Sequence, residues 1–545
     1  MISRTILALA ALCALATMSD SSAAGQAPAA AATATSSAAS TEHFDVSEYR
    51  VLGNSVLSNR QIEGVLYSRL GPDKTLADVD AARQALEAAY HDLGYSTVFV
   101  DIPPQEVKNG IVRLHVTEAR VRERTISGAR YFSEGRILEQ LPATQPGSVP
   151  NLTDLQQQLN ALNGETTDRS VVPILKAGPI PGTTDLALKV EDHLPLHGSL
   201  ELDNQRTPDS KPLRATLGMS YDNLFADLDS VSAQYTSAPQ KWSEVGVFNA
   251  NYSFHPLDGG IRPSVSFTNS SSNVATIGTL GVLGDGQVVG GRVNWPVLQL
   301  PGDSQSLTLG LDYKHFRNTI DLESTTPQSG GKTIEPISYL DASLSYGGFW
   351  QRSGASGGVA QSGSLNISAN FGPRGVSNSA IDFANSRYQA RGNYAYLHLD
   401  AAFTTRLPAA MLLTLRAAGQ FAQDPLVVYE QESIAGAQNV RGYLEAEVLG
   451  DDALRGTLQL QSPPLTHHGY LLGDMFLFLD AGRSHEIDAL AGEAGDTSLR
   501  SVGAGLDLLP GHHVAGSLTW ADPLLNGPRT PAHDSRLLFD LKGSF

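Results

Sequence analysis

Cysteine is nearly absent from this sequence of 545 residues. The single cysteine, Cys13, lies close to the N-terminus, so the rest of the chain has no thiol for a disulfide, a thiolate-bound metal or a nucleophile. Positive charge is also scarce: 38 Lys and Arg stand against 56 Asp and Glu, and the formal net charge of -18 disfavours nucleic acid as a partner. After residue 24 no apolar run reaches about 18 residues, which excludes a membrane-spanning helix there.

The N-terminal segment has the pattern of an export signal. Arg4 precedes an apolar run from Ile6 to Ala16, and small residues lead to Ala24 with the spacing of a cleavage site. We therefore predict a signal peptide at residues 1–24. Residues 25–43 are rich in Ala, Ser and Thr, which predicts a flexible leader.

Residues 44–118 and 119–192 show the same order of predicted elements: a strand, a short helix, a longer helix and two strands. In the first copy the longer helix has apolar residues at steps of three and four, namely Val79, Ala82, Leu86, Ala89 and Leu93. The second copy has the equivalent stripe Leu152, Leu155, Leu159 and Leu162. A βααββ module used twice is therefore predicted. This tandem resembles polypeptide-transport-associated (POTRA) domains.

Residues 193–545 alternate between apolar and small or polar residues. Segments such as "RATLGMSYDN", "LTLGLDYKHF" and "MFLFLDAG" have a period of two and are separated by Gly, Asp, Pro and Ser. In lipid, only helices and closed barrels satisfy every backbone polar group. The length predicts on the order of sixteen strands. We predict a mainly β fold: a transmembrane antiparallel β-barrel in the outer membrane, preceded by two periplasmic α+β domains. The alternative is a soluble β-sandwich.

The last strand carries an apolar stripe that ends on an aromatic residue. Counting back in twos from Phe545 gives Gly543, Leu541, Phe539 and Leu537. These side chains are predicted to face lipid. A terminal aromatic residue on such a strand resembles the signal that directs barrels to the barrel assembly machinery.

Two short motifs place opposite charges in this barrel. Val440, Arg441, Gly442 and Tyr443 lie in a turn-rich connection near residues 429–452, which we predict to fold into the lumen. Phe478, Asp480 and Gly482 alternate along a strand, so Asp480 faces the lumen if Leu479 faces lipid. A charge-assisted pair between Arg441 and Asp480 is the predicted anchor of the connection. The alternative is a solvated arginine on an extracellular loop tip.

Together, these motifs and the two modules ahead of the barrel resemble the two-partner secretion transporters, or haemolysin secretion/activation proteins. The resemblance implies that Arg441 and Asp480 pair in the lumen and that Tyr443 packs the tip of the loop. It implies recognition of a large secreted β-repeat client and its passage, unfolded, through the pore. Many relatives have a helix that plugs the pore, and a long linker, ahead of the first module. Residues 25–43 are too short and too low in complexity for both, which argues against a plug helix.

The remaining function classes have weaker support in the sequence. An assembly or insertion factor of the same superfamily usually has more than two POTRA domains, and a passive porin needs none.

For an outer-membrane hydrolase, the G-x-S-x-G match at 354–358 lies in a hairpin loop without the following helix that a nucleophile elbow needs. The pairs His467-His468 and His512-His513 fit turns better than a metal site. We predict no catalytic residues, no metal and no cofactor.

Overall fold

The computed structural model describes residues 43–208, 210–272, 275–277, 280–321, 332–354, 358–375, 379–467, 470–508 and 513–545. The predicted signal peptide and all of the predicted leader except His43 lie outside these residues. The chain divides into two compact units, one ending at Glu118 and the other starting at Ala119. Within the described ranges, no helix combines the length and the apolar character needed to cross a bilayer.

The first α/β domain covers the first unit as far as it is described. Its elements are β1 (Phe44–Val46), β2 (Glu48–Leu52), α1 (Asn59–Leu66), β3 (Gly71–Lys74), α2 (Leu76–Asp92), β4 (Val98–Asp101) and β5 (Ile111–Glu118). The main sheet has the order β2-β5-β4, with β2 parallel to β5, and β1 pairs separately with β3. Helix α2 buries Val79, Ala82, Leu86 and Tyr90. Leu93, predicted in the same stripe, is exposed because the helix ends at Asp92.

The second α/β domain repeats this arrangement in the second unit. It contains β6 (Arg120–Ser127), α3 (Glu134–Glu139), α4 (Leu152–Gly164), β7 (Arg169–Ala177) and β8 (Thr183–Asp192). Its sheet has the order β6-β8-β7, with β6 parallel to β8. The α4 stripe packs Leu155, Leu159 and Leu162 on the buried face of this sheet.

The rest of the second unit is a closed antiparallel barrel. Its sixteen described strands are β9 (Leu196–Asp203), β10 (Arg214–Leu224), β11 (Asp229–Ser237), β12 (Gly246–Ser253), β13 (Arg262–Ser270), β16 (Gly286–Leu300), β17 (Asp303–Asp321), β18 (Lys332–Ser353), β19 (Val359–Phe371), β20 (Ala395–Arg406), β21 (Leu412–Ala422), β24 (Asp452–Gln461), β26 (Tyr470–His485), β27 (Asp496–Leu508), β28 (Val514–Pro523) and β29 (Arg536–Ser544). Strand β29 pairs with β9 and closes the ring. The predicted fold class is confirmed.

Short elements lie in the connections of the barrel. They are the hairpins β14 (Ala275–Ile277) with β15 (Leu280–Leu283) and β22 (Glu432–Ser433) with β23 (Leu449–Gly450), helix α5 (Ala380–Ser386), and β25 (Leu465–His467) beside β26. The sequence pattern did not predict these elements, because each is too short to show a period.

Side chains of the barrel strands alternate between its two faces. In β26, Leu477 and Leu479 are 60% and 53% exposed, whereas Phe476, Phe478 and Asp480 are buried. Because successive side chains of a strand point to opposite faces, the exposed apolar set faces outward and the buried set faces the lumen. The outward face therefore presents an apolar surface of the kind that contacts lipid.

The two ends of the barrel differ in their connections. The second α/β domain contacts the β10–β11 turn: Asn223 Nδ2 donates to Tyr131 O at 2.8 Å, and Arg136 pairs with Asp227 at 2.5 Å. We call this the domain end. Since antiparallel strands alternate in direction, the long connections 372–394, with α5, and 423–451 lie at the opposite, far end.

Candidate functional site: the connections inside the barrel

The connection at 423–451, between β21 and β24, folds back from the far end into the barrel. We call it the lumen loop. It contains the predicted motif Val440-Arg441-Gly442-Tyr443 and the β22–β23 hairpin. Its apolar side chains share a buried cluster with two wall residues, and the members are Ile434, Ala435, Val440, Tyr443, Val448, Ala453 and Leu499. The loop is thus a packed part of the interior.

Arg441 contacts the inward face of β26 directly. Its Nε donates to Asp480 Oδ2 at 2.8 Å, its Nη2 donates to Oδ1 at 2.9 Å, and its backbone N–H donates to Oδ2 at 3.1 Å. Its Nη1 donates to Gln459 Oε1 at 3.1 Å. The guanidinium also lies 3.4 Å from the ring centroid of Phe478, a cation–π distance. The Asp480 side chain is 0% exposed and that of Arg441 is 12% exposed, so little of this pair is in water.

The other motif residues bring the loop close to the wall. A Cβ on Gly482 would lie 2.9 Å from Val440 Cγ2 and 3.2 Å from Ile434 Cβ, so a side chain at this position would require these loop residues to shift. Gly442 has a φ of +96°, in the region that favours glycine. Tyr443 is buried, and its hydroxyl lies 2.8 Å from Leu525 O in the β28–β29 connection. The structure therefore brings together both predicted motifs.

A second polar contact holds the base of the lumen loop. Glu430 is buried and accepts from Lys314 Nζ at 2.6 Å, from the Tyr339 hydroxyl at 2.6 Å and from the Tyr396 hydroxyl at 2.9 Å. Lys314 also lies 3.3 Å from Asp341. The wall residues come from β17, β18 and β20, on different strands from those that bind Arg441. We call this group the Glu430 cluster.

A third contact joins the lumen loop to the α5 connection. Arg387, just after α5, forms a bidentate pair with Asp451, whose side chain is 0% exposed. Arg387 Nη1 also donates to Leu426 O at 2.6 Å, and Ile487 N–H donates to Asp451 Oδ2 at 2.8 Å. The two connections are therefore fastened to each other as well as to the wall.

An apolar cluster surrounds these charges in the far half of the barrel. Phe383 from α5 and Leu426 and Val427 from the lumen loop pack against inward-facing wall residues, which include Val247, Val288, Phe316, Ile337 and Tyr339. Tyr429 stacks on Phe316 with ring centroids 3.9 Å apart. The far half of the lumen is therefore filled by chain connections as well as by wall side chains.

The Glu430 cluster and Arg387 were missed by the sequence analysis. Asp341 stands between Leu340 and Ala342, as Asp480 stands between Leu479 and Ala481, so the same period-two signal marks it as an inward-facing charge. Lys314 shows the signal more weakly, because Tyr313 precedes it but His315 follows it. Nothing local marks their partners. Glu430 and Lys314 are 116 positions apart.

The terminal aromatic residue lies at the seam of the barrel. Phe545 N–H donates to Gly198 O at 3.0 Å and Phe545 O accepts from Gly198 N–H at 3.2 Å, beyond the last β29–β9 pair. Its side chain is 70% exposed. Leu541 is exposed and Phe539 partly exposed on the same strand. Its role as an assembly signal stays a prediction.

The other sequence candidates gain no catalytic or metal-binding neighbours within the described ranges. Gly354 and Gly358 close the β18–β19 hairpin, where Gly354 N–H donates to Gly358 O at 2.7 Å, and residues 355–357 are not described. His513 is exposed, with Nδ1 3.0 Å from Ser544 O, whereas the side chain of His467 and all of His468 and His512 lie outside the described residues. His197, which the sequence analysis did not single out, lies 3.1 Å from Asp168 and 3.5 Å from Asp222.

Comparison with known proteins decides the family. The description of the haemolysin secretion/activation protein family ShlB/FhaC/HecB matches residues 182–508, more than half of the chain. The chain belongs to this family. The description of the ShlB-type POTRA domain matches residues 44–119. Family membership confirms the predicted class, an outer-membrane two-partner secretion transporter with periplasmic POTRA domains. The domain end of the barrel is thus periplasmic and the far end extracellular.

Individual relatives agree with this assignment. The chain is 26% identical over 509 residues to the outer membrane transporter CdiB of Escherichia coli O6:K15:H31, covering 90% of this chain and 81% of that protein. The solved structure of CdiB from Escherichia coli superimposes with a TM-score of 0.59 at 18% identity, covering 97% of this chain and 93% of that one. BamA from Haemophilus ducreyi, lacking POTRA domains 1–3, superimposes with a TM-score of 0.58 at 14% identity, covering 92% of this chain and 100% of that one. The two TM-scores are nearly equal, so the fold alone does not show whether this chain is more similar to CdiB or to BamA.

Proposed function

We propose that this secretion protein recognises one exported client through its POTRA domains and passes it, unfolded, through the barrel lumen to the cell surface. The observation that carries this proposal is the nature of the filling in the far half of the lumen. Much of it consists of the lumen loop and the α5 connection, which are joined to the wall by side-chain contacts. These segments can move while every backbone hydrogen bond between neighbouring barrel strands stays in place.

Opening requires that two polar contacts between the lumen loop and the wall give way together: Arg441 leaves Asp480, and Glu430 leaves Lys314. The third contact, between Arg387 and Asp451, joins the two connections to each other, so Arg387 moves with the lumen loop. Each is a charge-assisted contact with at least one buried partner, which resists separation more than an exposed pair does. Several such contacts favour a closed resting state. A client displaces the two connections only if it binds the open state more tightly than the closed state.

The proposed client is a large secreted β-repeat protein that stays extended in the periplasm. Strand addition recognises such a chain mainly through its backbone. Folding outside the cell prevents its return, so no nucleotide is needed. The further partners are outer-membrane lipid, against the outward apolar side chains, and the barrel assembly machinery, which we propose reads the strand ending in Leu541 and Phe545.

Deletion of residues 44–118 tests the recognition step. We expect the variant to insert as a heat-modifiable barrel and to lose export of a co-expressed, large, signal-bearing β-repeat protein. Normal export by this variant would contradict the proposal. The levels of unrelated outer-membrane barrels serve as the second readout. A general fall in those levels would instead indicate an assembly factor.

A further inference from the structure

Besides Arg441 and Glu430, a third charged side chain of the lumen loop is bonded to the barrel wall. Glu432, in β22, accepts a hydrogen bond from Arg455 Nη1 through its Oε1 atom, and Arg455 lies on β24. The other carboxylate oxygen of Glu432, Oε2, lies 3.6 Å from Nδ1 of His398, which lies on β20. These contacts join the β22–β23 hairpin of the lumen loop to two strands of the wall.

His398 has a carboxylate at each of its two ring nitrogens. Its Nε2 lies 2.6 Å from Asp400 Oδ2, two residues along the same face of β20, while its Nδ1 faces Glu432. Asp400 in turn lies 3.6 Å from Arg455 Nη2. Acidic and basic side chains therefore alternate around a closed circuit of four residues, Asp400, His398, Glu432 and Arg455. We call this group the His398 cluster.

A neutral imidazole cannot satisfy both carboxylates of this cluster. One of its nitrogens carries a hydrogen and donates it, but the other presents a lone pair, which repels a carboxylate oxygen. Only the imidazolium form, which donates from both nitrogens, suits Asp400 and Glu432 together. When His398 is protonated, the two carboxylates face two cations. When His398 is neutral, they share the guanidinium of Arg455 alone.

The strands on either side of β20 place uncharged side chains opposite His398. Ser368 lies opposite it on β19, and Gln420 lies opposite it on β21. Glu430, also on the lumen loop, is bonded to residues of β17, β18 and β20. The side chain of His398 is 24% exposed and that of Glu432 is 16% exposed, so water screens their interaction only in part. The charge of His398 therefore acts on the lumen loop mainly through Glu432.

We propose that His398 is a positioning residue that, when protonated, holds the lumen loop to the wall, and that weakens this hold when it is neutral. This inference rests on the proposed function, because it concerns how firmly the loop is held before a client displaces it. A proton on His398 adds a second cation beside Glu432 and so stabilises the closed state. Histidine changes its charge at about pH 5–8, so the resting channel opens more often at the alkaline end of this range.

Recordings of the full-length protein in planar bilayers test this role. For the parent protein we expect openings to be several-fold more frequent at about pH 8 than at about pH 5.5. His398→Gln cannot be protonated, so we expect it to open often at both pH values. His315→Gln is the matched control, because Nδ1 of His315 lies 2.7 Å from the uncharged hydroxyl of Ser338 on the neighbouring strand. This control should keep the pH profile of the parent.

Glu432→Gln tests the same contact from the side of the lumen loop. It removes the carboxylate that protonated His398 attracts, so openings should be frequent and nearly independent of pH. Heat-modifiability on a gel verifies that both variants contain a folded barrel. A parent protein that opens equally often at both pH values would overturn the inference, and so would His398→Gln with the pH profile of the parent.

Failure of this inference is distinguishable from failure of the proposed function. The openings are recorded without client, whereas the deletion of residues 44–118 is assayed by export. A flat pH profile of the parent, together with loss of export in the deletion variant, would contradict only the role of His398. Export that survives the deletion would contradict the proposed function itself.

Discussion

At the scale of single residues, Arg441 and Asp480 are expected to act as one unit. The sequence suggested a pair in a water-filled lumen, but the Asp480 side chain is fully buried in the structure. Breaking a buried pair by removing one partner costs about 3–5 kcal/mol. We predict that Arg441→Ala and Asp480→Ala each abolish export and alter single-channel conductance, while the barrel remains heat-modifiable because its ladder bonds are untouched.

The double variant distinguishes a shared contact from two separate ones. If the residues form one contact, the second substitution adds little to the first, and the two effects are strongly non-additive. Arg483→Ala is the matched control, because Arg483 lies on the same strand and its pair with Asp496 is exposed. Additive effects in export and conductance would show that the contact does not anchor the loop.

The Glu430 cluster gives a second residue-scale prediction. Glu430→Gln keeps the shape of the side chain and removes its charge, so Lys314 keeps only Asp341 as an ionised partner. We expect a less firmly held lumen loop, seen as more frequent channel opening in planar bilayers and greater sensitivity to large antibiotics. Arg352→Gln, at an exposed pair with Asp303, should leave both readouts unchanged. A channel as closed as the parent would contradict this role.

Residues of the site differ in how far the sequence predicts them. Arg441 stands beside a glycine in a turn-rich segment and Asp480 interrupts an apolar alternation, so both can be singled out. Glu430 has no such context, and its importance comes from Lys314, Tyr339 and Tyr396, which three other strands bring to it. Contacts between distant strands depend on barrel register, which local patterns do not specify.

At the scale of elements, the start of α2 should depend on pH. Thr75 and Asp78 form a capping box: Asp78 Oδ2 accepts from the Thr75 backbone N–H and from its hydroxyl, both at 2.8 Å. Both bonds lower the pKa of Asp78 below its usual value, and the bond from the backbone N–H has the larger effect. The stability that ionised Asp78 gives to the start of α2 is therefore present above the ordinary aspartate pKa. It is lost as the pH falls through the lowered pKa. We predict that amide protection in the first turn of α2 falls in acid.

Helix α3 supplies the control for this measurement. Its cap, Ser133, accepts from Arg136 N–H and has no carboxylate three residues on. Protection at the start of α3 should therefore change less between neutral and acidic pH in hydrogen-exchange experiments. Asp78→Asn, which removes the titrating carboxylate that accepts both bonds from Thr75, should reduce protection in α2 at neutral pH and remove most of its pH dependence. An unchanged pH profile in that variant would contradict the capping explanation.

Long elements were predictable from their periods, and short ones were not. Helices α2 and α4 and the barrel strands repeat apolar residues at steps of about 3.6 or 2 over many positions. By contrast, the predicted first strand is divided into β1 and β2 at Ser47, whose N–H, like that of Glu48, donates to Gly110 O. This break depends on a distant strand and has no periodic signature.

At the scale of the whole molecule, the approximate number of strands follows from the chain length. The closure of the barrel and the filling of its lumen do not. The seam joins β9 and β29, whose paired residues Asp203 and Asp540 lie more than three hundred positions apart. The interior is filled by connections whose sequences resemble ordinary loops. Length and alternation therefore predict a barrel, and long-range contacts determine whether its lumen is open.

Closure of the ring predicts the behaviour of the protein in detergent. Every described barrel strand is hydrogen-bonded along both edges, so unfolding has no free edge from which to start. We predict that unheated protein in sodium dodecyl sulfate migrates as a compact species and shifts to slower mobility after boiling. A variant lacking residues 536–545 loses β29 and leaves β28 and β9 unpaired at the seam, so it should give only the slow species. Identical mobility of boiled and unboiled full-length protein would contradict a closed barrel.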